Sequence, residues 1–147
     1  MNAMRLRIRI FAVLVAASLL ASAKTETLQE LIAREEAAKV EDRPALCTEI
    51  AERQLKAADE LYTAGKVEEA QAAVKDVVTY SEKAHDAAIQ SGKKLKNTEI
   101  DFRKMAAKLR DIKRSLNFDD QPPVQEAADR LESLRTDLLS HMFGKGK

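Results

Sequence analysis

Glu82 and His85 lie three residues apart, a spacing that sets a carboxylate and an imidazole on one face of a helix. Ferritin-like dinuclear centres use two such pairs plus two further glutamates, because four carboxylates and two imidazoles complete the coordination of both metals. The only other histidine, His141, has Leu138 three residues before it, so the second pair is missing. Glu82, His85 and His141 are therefore the candidate metal ligands, and a surface ion pair is the simpler role for the first two. One His with one Met can ligate haem inside a bundle. His141 stands beside Met142, and Met105 falls on an apolar stripe. Attachment through Cys-x-x-Cys-His is excluded by composition, and a His near a helix C-terminus is favoured electrostatically without any ligand. The expectation is a chain with no resident metal or cofactor.

Cys47 is the single thiol, which rules out an internal disulfide framework. It falls on an apolar stripe, where a free Cys behaves as a small hydrophobe. In an oxidising compartment the same thiol could instead form an intermolecular disulfide with a second chain. No sequence feature assigns a His to it as a base.

The stretch from Lys93 to Arg114 is basic. Lys93, Lys94, Lys96, Arg103, Lys104, Lys108, Arg110, Lys113 and Arg114 stand against Glu99, Asp101 and Asp111, a net of +6. Residues 24–76 carry 13 acids and 8 bases, a net of −5. Such asymmetry suits either an anionic surface or packing of the basic helix beside acidic ones. Aromatic side chains do not interleave with the cations, so nucleic-acid stacking is not expected. Catalysis has no constellation at all: no Gly-rich phosphate loop, no Gly-x-Ser-x-Gly elbow and no His-Glu-x-x-His. The chain reads as a non-enzyme.

These residues need elements to hold them, and the chain supplies helices. With 147 residues it has room for one compact domain. Four Gly, three Pro and 4% aromatics argue against sandwiches and barrels. Pro44 and Pro122-Pro123 precede periodic runs, Gly65 and Gly92 follow them, and Thr27 with Glu30 fits a capping box. Helices are predicted over 27–41, 44–64, 67–91, 94–117 and 122–142, with the break at 92–97 open between two helices and one bent helix.

Apolar residues then recur at steps of three and four. They are Val67, Ala70, Val74, Val77, Ser81, Ala84 and Ala88, then Leu95, Thr98, Phe102, Met105, Leu109, Ile112 and Leu116. Val124, Ala127, Leu131, Leu134, Leu138 and His141 follow, and a weaker set runs Cys47, Ile50, Gln54, Ala57 and Leu61. A mean step of about 3.5 residues keeps one seam against a neighbour. The expected fold is all-α: an antiparallel four- to five-helix bundle, or a coiled-coil hairpin that dimerises.

Residues 50–80 resemble one tetratricopeptide repeat. Ala58, Leu61, Tyr62, Gly65 and Ala70 stand close to where that motif sets packing residues about its turn. Leu61 takes the usually aromatic slot, Glu82 stands where the repeat closes with Pro, and no second copy follows at a period of roughly 34 residues. The resemblance implies a peptide-binding helical groove and assigns no binding residue.

Residues 1–23 read as a cleavable signal peptide and 24–147 as the helical domain. Arg5, Arg7 and Arg9 precede an eleven-residue apolar run from Ile10 to Leu20, and Ala21-Ser22-Ala23 supplies a cleavage site before Lys24. The run would span about 17 Å, short of the ~30 Å bilayer core. Its removal takes three arginines and no acid, leaving 22 basic and 24 acidic side chains, a net charge of −2. The resulting expectation is an exported protein, periplasmic or secreted, acting through a protein partner or self-association. Membrane contact would be peripheral at most. The alternatives are a periplasmic metal- or haem-binding bundle and an anionic-surface binder.

Overall fold

The computed structural model describes residues 25–144, so the signal-peptide reading of residues 1–23 lies outside the described residues. Five α-helices form: α1 (Leu28–Ala37), α2 (Arg43–Thr63), α3 (Val67–Ser91), α4 (Leu95–Ser115) and α5 (Gln121–Phe143). A single 3-10 turn, Phe118–Asp120, precedes α5, and no strand occurs among the described residues.

Local chemistry sets the boundaries. The Thr27 hydroxyl accepts from the Glu30 N–H at 3.1 Å, satisfying one of the unpaired donors at the start of α1. Pro44 occupies the first turn of α2, and Pro122-Pro123 that of α5, where a missing N–H is harmless. Gly65 (φ 76°) lets the chain leave α2 as the Lys66 N–H returns to the Leu61 carbonyl at 2.9 Å. The open break resolves into two helices. Gly92 ends α3 in the left-handed region and Lys94, at φ 64°, repeats that conformation one residue before α4. Helix α1 is shorter than predicted because Ala38 turns extended (ψ 155°), which lets the chain reverse and lay α1 against α2.

Side-chain pairs fix the topology. Gln54 reaches Asp76 across α2 and α3, while Glu99 meets Arg135 and Lys113 meets Gln125 across α4 and α5, so each is an antiparallel hairpin. Asp59 pairs with Lys108, and Glu82 with Arg130, so α2 runs parallel to α4 and α3 parallel to α5. Each hairpin covers 49 residues: helices of 21 and 25 about three connecting residues, then 21 and 23 about five. One apolar core draws on all four long helices, an all-helical arrangement compatible with a helical bundle.

The predicted seams of α3, α4 and α5 face that core, with Leu95, Leu116 and Val67 at its margin and His141 at the surface. The α2 seam holds at Cys47 and Ile50, both wholly buried, and is shifted by one residue beyond them. Cys47, Ala51, Leu55, Ala58 and Tyr62 are buried, whereas Gln54, Ala57 and Leu61 are only partly covered. Gln54 sits at the rim because its amide bonds to the half-exposed Asp76 at 2.8 Å, and that rim contact turns its neighbours inward.

Candidate functional site

The polar chemistry of the sequence gathers along the line where α3 lies beside α5. Their parallel packing places His85 of α3 against Asp137 of α5, with Nε2 2.6 Å from Oδ2. The other ring nitrogen, Nδ1, faces Asp86 Oδ1 at 2.9 Å. One turn further along α5, His141 Nδ1 donates to the Asp137 carbonyl at 2.9 Å and lies 3.6 Å from its carboxylate. Both histidines of the chain thus converge on one aspartate. A hollow of about 310 Å3, lined by Glu82, His85, Asp86, Arg130, Ser133, Leu134 and Asp137, opens beside them.

Glu82 does not share the His85 contact. Its carboxylate takes the Arg130 Nε–H at 2.9 Å, so the Glu-x-x-His spacing puts both residues on one face while the helix opposite divides them. Sequence reasoning missed Asp137, the centre of the cluster. Its signal was the four-residue step to His141, which places two side chains on one helix face. Among the described residues no group of three or more His, Cys, Asp or Glu side chains is placed so that it could hold a metal ion. Met105 is 2% exposed in the core, and Met142 follows His141 at the end of α5.

Cys47 is wholly buried and its Sγ lies 3.4 Å from Glu35 Oε1. Loss of solvent, then the adjacent Glu35 charge, pushes the thiol up to about 12, so it stays protonated and poorly nucleophilic at neutral pH. A thiol in that setting cannot reach a second chain without the fold opening, so the intermolecular disulfide has no access here. Glu35 itself is 3% exposed, with the Arg43 Nε 3.8 Å away, and it docks α1 onto α2. Nothing in the local pattern of charges marks it as buried.

The basic stretch divides in two. Lys108 pairs with Asp59 at 2.8 Å, Arg110 with Glu132 at 3.2 Å and Arg114 with Asp111 at 2.8 Å, while Lys113 donates to Gln125 at 2.6 Å. These cations tie α4 to its neighbours or to its own turn. Lys93, Lys94, Lys96, Arg103 and Lys104 make no ion pair within 4.0 Å among the described residues, and Lys94 lines a hollow with Glu49, Glu52 and Asp101. Two of the three carboxyls there, Glu52 and Asp101, are raised, mainly by burial and in Glu52 also by its acidic neighbours.

A second feature adjoins the histidine cluster. A groove of about 470 Å3 runs between α3 and α5 over Val74, Val78, Pro123 and Ala127, and Glu126 joins it to a 350 Å3 hollow beside Phe118. Phe118 is 83% exposed and Phe143, at the far end of α5, 79%. No helix of the described residues is long and apolar enough to cross a membrane. Set against known proteins, the chain matches no family model, no curated protein and no solved structure.

Proposed function

We propose that this chain is an exported, non-enzymatic helical protein that works through protein–protein contacts in the cell envelope. The observation that carries this reading is Phe118. A phenylalanine left 83% exposed loses the burial that stabilises such a side chain by roughly 1.5–3 kcal/mol, and it stands at the mouth of an apolar groove. Aromatic side chains anchor protein interfaces because they bring large contact area at small entropic cost. The basic n-region, apolar run and Ala-Ser-Ala of residues 5–23 support the envelope location.

A photoreactive amino acid placed at position 118 of the full chain, in cells, gives one discrete adduct heavier than the 16.4 kDa protein. The same group at Lys39, on the loop between α1 and α2, gives none. The mass of the adduct separates self-association from a different partner. Equal diffuse labelling at both positions overturns the reading. Intact mass of the envelope fraction reads the export step separately, with Lys24 as the expected first residue.

A further inference from the structure

Granting Phe118 the contact role proposed above, we infer that its partner is a second copy of this chain, docked side by side in the opposite direction. Phe143 of each copy then meets Phe118 of the other. These are the two large apolar side chains left exposed among the described residues, and they stand at opposite ends of α5. Phe143 lies about five helical turns beyond Gln125, so the two share one side of α5. Gln125 accepts from Lys113 of α4 at 2.6 Å and lines the hollow of about 350 Å3 beside Phe118. Both rings therefore belong to one stripe on the α4 side of α5, about 34 Å long.

Charge chooses the partner and its direction. Beside Phe118, Asp119 and Asp120 make no ion pair within 4.0 Å among the described residues. Glu60, Glu68 and Glu69 flank the α2–α3 turn at the same end of the bundle, against Lys66 and Lys113. Beside Phe143, at the start of α4, the unpaired charges are the exposed Lys93, Lys94 and Lys96. Glu41 and Asp42 share that end, on the α1–α2 loop with Lys39. Copies in the same direction set carboxylates against carboxylates and lysines against lysines, whereas reversal sets each against the other. Reversal also makes every contact twice and closes the assembly at two copies. Midway along the stripe Glu132 is held by Arg110 and Arg135, so it brings no bare charge to the twofold axis. The contact runs along α5 with α4 at its margin, because a broader one sets Arg103 and Lys104 against their own copies. A stripe about 34 Å by roughly 12 Å buries on the order of 400 Å2 a side, the size of a weak, reversible pairing.

Sedimentation of the purified chain at rising concentration tests this, with a mass that climbs to two copies in the micromolar range. Phe118→Ser or Phe143→Ser weakens the pairing at least tenfold with circular dichroism unchanged, since both rings lie outside the core. Asp119→Lys/Asp120→Lys weakens it too, and mixing that variant with Lys93→Glu/Lys96→Glu restores it. Thiols read the direction. Positions 125 and 136 of two reversed copies face each other, while equal positions stand about 16 Å apart, beyond disulfide reach. Mild oxidation therefore links a mixture of Gln125→Cys and Thr136→Cys chains but neither variant alone, and the buried Cys47 stays unlinked. Linkage within either single variant, species beyond two chains, or a one-copy mass at every concentration overturns the pairing. The photoreactive group at position 118 then separates the two readings: an adduct with a different protein leaves the contact function standing, and no adduct removes both.

Discussion

The two hairpins have equal length and lie in parallel register, yet they fill the core with different side chains. Helix α3 buries Ala70, Ala73, Val74, Val77, Ser81, Ala84, Ala87 and Ala88, and α2 adds Ala51 and Ala58. Those small residues let the α2 and α3 axes approach closely, while Ile50, Leu55 and Tyr62 of α2 supply the first hairpin's larger buried side chains. The second hairpin buries Phe102, Met105, Leu109 and Ile112 of α4 against Leu131, Leu134 and Leu138 of α5. Its stability comes from large apolar surfaces. The alanine positions of α3 should therefore fail on enlargement, and the large side chains of the second hairpin on truncation.

Phe102→Ala is the strongest test of that contrast. The ring is fully buried, and removing it costs about 3–5 kcal/mol, a large share of the roughly 5–15 kcal/mol that holds a typical domain. Urea unfolding should register the loss as a lower midpoint. In the other hairpin, Ala84→Leu forces extra volume between close-packed axes and costs about 1–3 kcal/mol. Were Ala84→Leu neutral, the close approach of α2 and α3 would not be what orders that half.

Ser81→Ala works in the opposite direction. The Ser81 hydroxyl is buried without a hydrogen-bond partner, so its removal relieves an unmet donor and raises stability by about 1 kcal/mol. Calorimetry should show a higher midpoint, and a lower one would mean that the hydroxyl is bonded in solution.

The smallest effect lies between the hairpins. Burial and the nearby Asp101 and Glu49 raise the Glu52 carboxyl, so the folded chain binds its proton more tightly than the unfolded one. Its contribution therefore improves as pH falls through the raised pKa and is unfavourable at neutral pH. Glu52→Gln gains about 0.5 kcal/mol at pH 7, kept small by solvent at this exposed position, and the gain fades in acid. A difference between the parent chain and Glu52→Gln that stays constant with pH in thermal melts would place the effect elsewhere.

Much of this was legible. The seams of α3, α4 and α5 followed from steps of three and four, although Ala73, Ala87, Ala106 and Ala128 beside them are buried as well. In α2 the doublets Ala57-Ala58 and Leu61-Tyr62 offer two apolar faces, so periodicity alone could not choose. Only the Gln54–Asp76 contact across the hairpin decides the rotation. The site was legible by halves. Spacing put Glu82 and His85 on one face, but their separate partners, Arg130 and Asp137, depend on how α3 lies against α5, and no local pattern encodes that. Burial of Glu35 beside Cys47 arises the same way, from a reversal at Ala38 that the helix-favouring run 35–39 hides.

The link at Gly92–Lys94 has a consequence for exchange between chains. Lys94 is the one non-glycine residue with positive φ among those described, a conformation that costs about 1–3 kcal/mol, and it sits between runs of good helix formers. Straightening there joins α3 to α4 as one long rod and carries the second hairpin away from the first. Were the link to straighten, the vacated seat would fit the matching hairpin of a second copy, an exchange that size-exclusion would read as a dimer. Lys94→Gly removes the penalty for the bend and holds the chain to its own partner.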